Sequence, residues 1–258
     1  MMEYLIICSV AFIISGLTLF SGFGLGTVLM PVFAIFFPVY IAISLTAIVH
    51  LFNNMFKFLL LGRHADKSAV FRFGIPAILA AILGAHALFW LSGLKPLAAY
   101  QFSGHNFQIT PVKIIIAILM VIFALFELIP RFENISFEKK YLPLGGVLSG
   151  FFGGLSGNQG ALRSTFLIKC GLTKESFIAT GVVISCLVDF SRIFVYSANI
   201  PSIVKSSNFP LLIAAIGSAF LGAFIGNRLI RKVTMRTIQL IIAIMLFVIA
   251  FGLGTGII

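Results

Sequence analysis

The chain has 258 residues, of which 60% are hydrophobic and only 10% are charged. Its mean hydropathy is +1.15, whereas a soluble globular domain carries roughly 25% charged residues. Stretches without Asp, Glu, Lys or Arg, such as Ile75 to Leu94 and Leu240 to Phe251, exclude a water-exposed surface there. A backbone in hydrocarbon must satisfy its own hydrogen bonds, so the composition predicts an all-α integral membrane protein.

The net charge of +11 does not indicate a nucleic-acid partner, because the basic residues form short clusters between apolar segments. Cys8, Cys170 and Cys186 lack the spacing of a metal site or disulfide framework, and we interpret them as packing residues. The sequence thus predicts no cofactor and no metal site. The N-terminal apolar run lacks a basic start and a small-residue cleavage site, which favours a retained helix.

The first half of the chain contains five predicted segments, two short and three long enough to cross a bilayer. In chain order they are Tyr4 to Phe20, Thr27 to Phe37, Ile41 to Leu61, Phe71 to Leu94 and Val112 to Ile129. A glycine-rich break, Ser21 to Gly26, separates the two short segments.

The second half repeats this order of short and long segments. Its members are Leu142 to Leu155, Ala161 to Cys170, Ser176 to Tyr196, Phe209 to Leu229 and Thr237 to Gly256. The break between its two short segments is Ser156 to Gly160. The sequence leaves open whether the short segments cross the bilayer fully or re-enter.

Basic loops predict the topology, since short loops rich in Lys and Arg stay in the cytoplasm. The basic residues of three such loops are Arg63, Lys67 and Arg72; Arg131, Lys139 and Lys140; and Arg228, Arg231, Lys232 and Arg236. The loops Ser92 to Pro111 and Ala198 to Asn208 carry only Lys95 and Lys205, which predicts that they face outward. The C-terminus is then expected outside.

The two halves therefore run in opposite directions, and they also share sequence features in the same order. Gly26 and Thr46 correspond to Gly160 and Thr180, and Gly84-Ala85 matches Gly222-Ala223. Similar halves of opposite orientation are typical of the inverted repeats of secondary transporters. We predict a first repeat over 1–130, a cytoplasmic linker over 131–143 and a second repeat over 144–258, within one membrane domain.

The second break carries the strongest signal for a substrate site. Interrupted helices offer backbone N–H groups and positive helix ends to an anion near mid-membrane. Arg163 follows the break within about a turn, and Arg within a membrane segment is costly without a cavity or partner. A structural ion pair or a snorkelling side chain is the alternative for Arg163. The predicted binding residues here are Ser156, Gly157, Asn158, Gln159, Gly160 and Arg163.

The first break is almost entirely apolar and offers backbone groups rather than side-chain chemistry. Gly24, Gly26 and Thr27 are its candidate binding residues. Close helix packing through glycine is an equally good interpretation.

The third helix of each half carries a polar stripe at helical spacing. The first stripe is Thr46, His50, Asn53, Asn54 and Lys57; the second is Ser185, Asp189, Arg192 and Tyr196. We interpret Asn53 and Asn54 as further substrate contacts and assign Asp189, Arg192, Lys57 and His50 to coupling or gating. Alternatively, Asp189 and Arg192 form an ion pair that only fixes helix packing, Lys57 snorkels, and His50 is a hydrogen-bonded packing residue.

These features resemble the TauE/SafE sulfite-exporter family over nearly the whole chain. The resemblance rests on the segment Gly153 to Ser164 (GGLSGNQGALRS), on Ala179-Thr180 and on Asp189 to Arg192 (DFSR), together with the glycine hairpin, Thr46 and Gly84-Ala85 of the first half. The first glycine run departs from the common form at Phe23 and Leu25.

The resemblance implies a multi-pass transporter in a bacterial inner membrane that exports sulfite, sulfonates or related organosulfur anions. Its expected partners are a small anion, the lipid bilayer and a coupling ion, H⁺ or Na⁺. An anion channel and a scaffold subunit are alternatives. A membrane-embedded enzyme is a further one, but His50, His64, His86 and His105 lack the spacing of paired metal ligands.

Overall fold

The computed structural model describes residues 2–17, 24–102, 104–129, 136–198, 209–229 and 235–258. The described chain is mainly helical. The first half contains α1 (Met2–Leu17), α2 (Leu25–Ala34), α3 (Val39–Leu61), α4 (Lys67–Ser92) and α5 (Pro111–Leu128). The second half contains α6 (Leu142–Ser156), α7 (Gly160–Leu167), α8 (Lys174–Ser197), α9 (Phe209–Leu229) and α10 (Met235–Thr255).

Polar caps determine where two of the long helices begin. The Asp66 carboxylate accepts a hydrogen bond from the backbone N–H of Ala69 at 2.6 Å, so α4 begins at Lys67, four residues before the predicted start. Thr173 caps α8 in the same way through the N–H of Ser176. Helix α6 begins at Leu142, inside the predicted linker, after a turn of 3₁₀ helix over Lys139–Tyr141.

Three described segments are long and apolar enough to cross a membrane by length and composition: Val39–His64, which includes the turn after α3, Lys67–Ser92 and Lys174–Ser197. The remaining apolar helices are shorter. The protein is thus a multi-pass, helical membrane protein, as its composition predicts.

Helices from the two halves pack against each other. The most extensive contacts between the halves are those of α4 with α6, α1 with α9, α5 with α10, α3 with α8, and α4 with α8. Helix α6 approaches α4 through Gly146, Gly150 and Gly154, where a Cβ atom would overlap the carbonyl oxygens of Phe73, Ala77 and Ala81 respectively. Such close backbone approach through small residues is common in membrane helices. Gly222 of α9 lies equally close to the carbonyl oxygen of Phe12 in α1.

The loop Ser92 to Pro111, which is predicted to face outward, contains regular secondary structure. Its residues form an antiparallel hairpin of β1 (Ala98–Phe102) and β2 (His105–Ile109). The Tyr100 hydroxyl donates a hydrogen bond to the carbonyl oxygen of Thr255 at 2.6 Å, which joins the hairpin to the end of α10. Aromatic residues on either side of Ser103-Gly104 are the sequence signal for such a hairpin.

The helices place apolar side chains outside and polar ones inside. Leu59, Leu79, Leu83 and Phe194 are all more than 60% exposed, which suits a lipid-facing surface because hydrocarbon cannot hydrogen-bond. The polar stripes of α3 and α8 are buried between the helices. Polar and charged side chains, which are unfavourable in contact with lipid, therefore lie in the interior. These side chains form the candidate site.

Candidate functional site

The break between α6 and α7 meets the start of α2 near the middle of α3. A Cβ atom on Gly26 would lie 3.3 Å from the carbonyl oxygen of Gly157 and 3.6 Å from Cδ2 of His50. Residues from three elements that are far apart in sequence therefore converge at one place. Of the first break, Ser21 to Phe23 lie outside the described residues.

Helix α6 ends because Gly157 adopts a left-handed conformation, with φ of 82°. The N–H of Gly157 donates to the carbonyl oxygen of Gly153 at 3.0 Å, and the N–H of Asn158 lies 3.4 Å from the Ser156 hydroxyl oxygen. Ser156 itself donates to the carbonyl oxygen of Phe152. The Ser156 hydroxyl and the backbone N–H groups of Gly157 and Asn158 therefore have acceptors within the hairpin itself.

Further donors lie in the first turn of α7. Helix N-terminal N–H groups lack intrahelical acceptors, and here they begin with Gly160. The Ser149 hydroxyl donates to the carbonyl oxygen of Gln159 at 2.9 Å. This bond fixes the backbone of the residue that precedes α7. Arg163 is only 2% exposed, and one of its Nη atoms donates to the Ser185 hydroxyl. Its guanidinium lies close to Gly181 of α8.

Asp189 is the centre of a buried hydrogen-bond network. Its Oδ2 lies 2.6 Å from Nδ1 of His50, and its Oδ1 accepts from Nε2 of Gln159 at 3.0 Å. Arg192 donates to the same Oδ1 from Nη2 at 2.8 Å and from Nε at 3.1 Å. The side-chain amide nitrogen of Asn54 lies 3.1 Å from the His50 ring. The ion pair expected from the spacing of Asp189 and Arg192 is present, and His50 joins it.

The same network ties α8 to the end of α6. Arg192 donates from Nη1 to the carbonyl oxygen of Gly153 at 2.9 Å, and the Tyr196 hydroxyl donates to the carbonyl oxygen of Gly154. Both acceptors lie in the last turn of α6, and the Gly153 carbonyl oxygen also accepts from the N–H of Gly157. The pair thus has a structural role as well as any role in transport.

The polar stripe of α3 is buried along its whole length. Asn53 accepts a hydrogen bond from Ser15 at 2.8 Å, while its Nδ2 atom and the Thr46 hydroxyl have no partner among the described residues. Lys57 is 5% exposed, so the snorkelling alternative is wrong for this structure.

At the start of α2, Gly24 precedes the first turn with φ of 117°, a conformation that favours glycine. Gly26 and Thr27 are both buried in the first turn. Thus every predicted site residue lies inside the protein, and the structure brings Gly26, Gly157, His50, Gln159 and Asp189 into one cluster.

Positive charge exceeds negative charge in this interior. Lys57, Arg163 and Arg192 are at most 5% exposed, and Asp189 is the one buried acid among the described residues. The buried charged side chains of this region therefore carry a net positive charge.

Two contributing residues are absent from the predicted set. Ser15 contacts Asn53 from α1, and Ser149 contacts Gln159 from α6. Each is a lone hydroxyl in an apolar segment, which is a weak sequence signal because such hydroxyls often bond to their own helix.

The family model described as Sulfite exporter TauE/SafE matches residues 7–253. No curated protein and no solved structure matches the chain.

Proposed function

The chain belongs to the sulfite exporter TauE/SafE family, and on this basis we propose that it is a secondary transporter that exports sulfite, a sulfonate or a related small organosulfur anion across the bacterial inner membrane. Membership in this family makes it an exporter-type membrane transporter rather than an enzyme. The substrate, the coupling ion and the direction of transport are our proposals.

The observation that carries the choice of an anion is the excess of buried positive charge beside the break. Arg163 lies 2% exposed at the start of α7, and Asp189 is engaged by Arg192, His50 and Gln159. A charged side chain inside a membrane protein is costly and often marks a functional site. An oxyanion at this place offsets that cost.

The geometry of the break supports an oxyanion in particular. Such a ligand has to replace its water shell with several donors at once. The first-turn N–H groups of α7 are oriented donors, and the planar guanidinium of Arg163 is held beside them by its bond to Ser185. We propose that the substrate binds between them, close to Gly26 of α2.

The helix contacts support the inverted-repeat plan. In chain order, α1 to α5 of the first half correspond to α6 to α10 of the second half. Exchanging each helix for its counterpart turns the α4–α6 contact into the α9–α1 contact. The same exchange leaves the α3–α8 and α5–α10 contacts unchanged. Such an exchange is expected of a pseudo-twofold axis. We propose that 1–130 and 144–258 are opposed repeats, joined by a cytoplasmic linker, with the C-terminus outside the cell and substrate access alternating between the two sides.

We propose H⁺ rather than Na⁺ as the coupling ion. His50 contacts Asp189, and histidine side chains serve as proton carriers in many proteins. Arg192 pairs with the same carboxylate, and its positive charge repels a metal cation. A proton can be exchanged within the Asp189 network without a metal cation such as Na⁺ entering this positively charged region.

Transport by purified protein in liposomes tests the proposal. We expect saturable flux and counterflow with sulfite, thiosulfate or a sulfonate, whereas linear flux without counterflow would indicate a channel. No flux of any sulfur oxyanion would contradict the proposed function.

Two substitutions locate the site within this assay. Arg163→Lys should lose affinity despite its retained charge, because an ammonium does not reproduce the planar donor fork. Gln159→Ala should weaken binding by about 1–3 kcal/mol if its amide donates to the bound anion. Unchanged affinity in both variants would place the substrate elsewhere, and Glu138→Gln, in an exposed residue, is the control.

A further inference from the structure

We propose that the side-chain oxygens of Asn158 and Gln159 accept hydrogen bonds from the substrate, so that the preferred substrate is a small anion with its own O–H or N–H group. This proposal rests on the proposed function and narrows its class of substrate. The observations concern two buried acceptor atoms that directly precede the N-terminal donors of α7.

The first acceptor is Oε1 of Gln159. The side chain is 2% exposed, and its Nε2 donates to Oδ1 of Asp189 at 3.0 Å. Asp189 forms an ion pair with Arg192, and an ionised carboxylate only accepts hydrogen bonds. The amide of Gln159 therefore turns its nitrogen towards Asp189 and its oxygen away from it. Oε1 is buried and has no hydrogen-bond partner among the described residues.

The second acceptor is Oδ1 of Asn158, the preceding residue. Asn158 is 3% exposed, and its backbone N–H lies 3.4 Å from the Ser156 hydroxyl oxygen. Within the described part of the chain, its Oδ1 atom has no donor either. Most buried polar side-chain atoms in proteins have a hydrogen-bond partner. Two unsatisfied acceptors on successive residues therefore indicate a donor that is not part of the protein.

These two oxygens also do not cap the helix that follows them. Asparagine is a preferred residue at the start of a helix, because its oxygen accepts from the N–H groups of the first turn. Here the side chain of Gln159 makes no capping hydrogen bond to α7, and Oδ1 of Asn158 accepts none from it. First-turn N–H groups lack intrahelical acceptors. The break thus presents donors and acceptors side by side.

This combination selects among ligands. An oxyanion without a hydrogen atom accepts from the N–H groups of α7, but it leaves both amide oxygens buried and unpaired, which is costly. An anion with an O–H or N–H group accepts from α7 and also donates to an amide oxygen. A site built to bind such a group discriminates strongly against an analogue that lacks it. Acid oxyanions and hydroxy-substituted sulfonates belong to the selected class.

Two other ligands satisfy amide oxygens, a bound water molecule and Na⁺. The structure disfavours Na⁺, because Gln159 binds the same carboxylate oxygen of Asp189 as Arg192, whose positive charge repels a cation. A water molecule that satisfies these oxygens permanently would make the site indifferent to a donor on the substrate. Both ligands are outcomes of the test.

The test compares anions of equal charge and similar size that differ in one donor group. Sulfamate has an amino group where methanesulfonate has a methyl group, and isethionate has a hydroxyl group where propanesulfonate has a methyl group. Binding of all four anions is measured by calorimetry on detergent-purified protein, in Na⁺ salts and in choline salts. Gln159→Met and Asn158→Leu keep the side-chain volume without the amide, and Glu138→Gln, in an exposed residue, is the control.

We expect wild type to bind the donor-bearing anion of whichever pair it accepts about tenfold more tightly, the effect of leaving one buried acceptor unsatisfied. Gln159→Met should bring this ratio close to one, and Asn158→Leu should reduce it. A purely structural role would weaken the binding of both members of a pair and leave their ratio unchanged. Glu138→Gln should keep the wild-type affinities, and choline in place of Na⁺ should not change the ratio.

Equal affinity within each pair in wild type would overturn the proposal and indicate bound water. Equal affinity that rises with Na⁺ would overturn it in favour of a cation. A preference of undiminished size in both Gln159→Met and Asn158→Leu would assign the acceptor to other residues. The wild-type comparison needs no variant, so it decides the matter even if Gln159→Met does not fold.

The failure of this inference differs from the failure of the proposed function. If wild type binds none of the four anions and transports no sulfur oxyanion in liposomes, the proposed function has failed. If it transports a sulfur oxyanion but shows no preference for a donor, or binds none of the four anions, only this inference is overturned.

Discussion

His50 and Asp189 contact each other across 139 positions of sequence, with Nδ1 of the imidazole 2.6 Å from Oδ2 of the carboxylate. The contact joins α3 of the first half to α8 of the second. Gln159 donates to the other oxygen of Asp189, so the carboxylate also reaches the break at which we place the substrate. A change in the protonation of this pair would therefore act directly on the geometry of the break.

We expect His50→Gln to abolish the dependence of flux on an imposed pH difference while leaving exchange at equal pH measurable. Glutamine retains a donor to Asp189 but cannot exchange a proton. Flux is measured in liposomes with and without a pH difference. His86→Gln is the matched control, because His86 is exposed on α4. A pH-difference response that persists in His50→Gln would contradict the proposed proton coupling.

Asp189→Asn should destabilise the protein by roughly 3 kcal/mol or more, because it leaves Arg192 as a buried charge without its counter-ion. Thermal unfolding in detergent measures this loss. The double variant Asp189→Asn, Arg192→Gln should recover part of it. Glu138→Gln removes an exposed acid and should be neutral. If the double variant is as unstable as the single one, the ion pair does not explain the cost.

Gly150→Ala should destabilise the fold by about 1–3 kcal/mol, since the added methyl group would overlap the backbone of Ala77 in α4. Gly217→Ala is the matched control: it is also helical, but nothing lies within 4 Å of its added Cβ. That variant should be neutral or stabilised by up to about 1 kcal/mol. Equal melting of the two variants would show that α4 and α6 are not packed as closely as described.

In a variant that lacks the three native cysteines, Gln101→Cys should react with an impermeant thiol reagent added outside intact cells. Lys139→Cys should react only after the membrane is permeabilised. Both positions are exposed, the first in β1 and the second before α6. The expectation rests on the basic-loop asymmetry. Reaction of both from the same side would refute the predicted topology.

The sequence predicts what depends on local spacing. The long helices lie close to their predicted bounds, and the Asp189–Arg192 pair follows from a separation of three residues in a helix. It does not predict that His50 and Gln159 also reach Asp189, because periodicity identifies a polar face but not the face that it meets. The donors consumed by the hairpin at Ser156 and Gly157 escape prediction for the same reason: their partners depend on how α6 ends.

The close approach of α6 to α4 limits how this transporter can move. Their backbones touch along three successive turns, and α1 and α9 touch in the corresponding way at Gly222. Each of these helix pairs contains one helix from each half. A rigid-body movement of one half relative to the other would therefore break these close helix contacts. The moving units should instead be composite bundles, one built around α4 and α6 and the other around α1 and α9. A crosslink between α4 and α6 would then leave the transport cycle intact, whereas one between the two bundles would stop it.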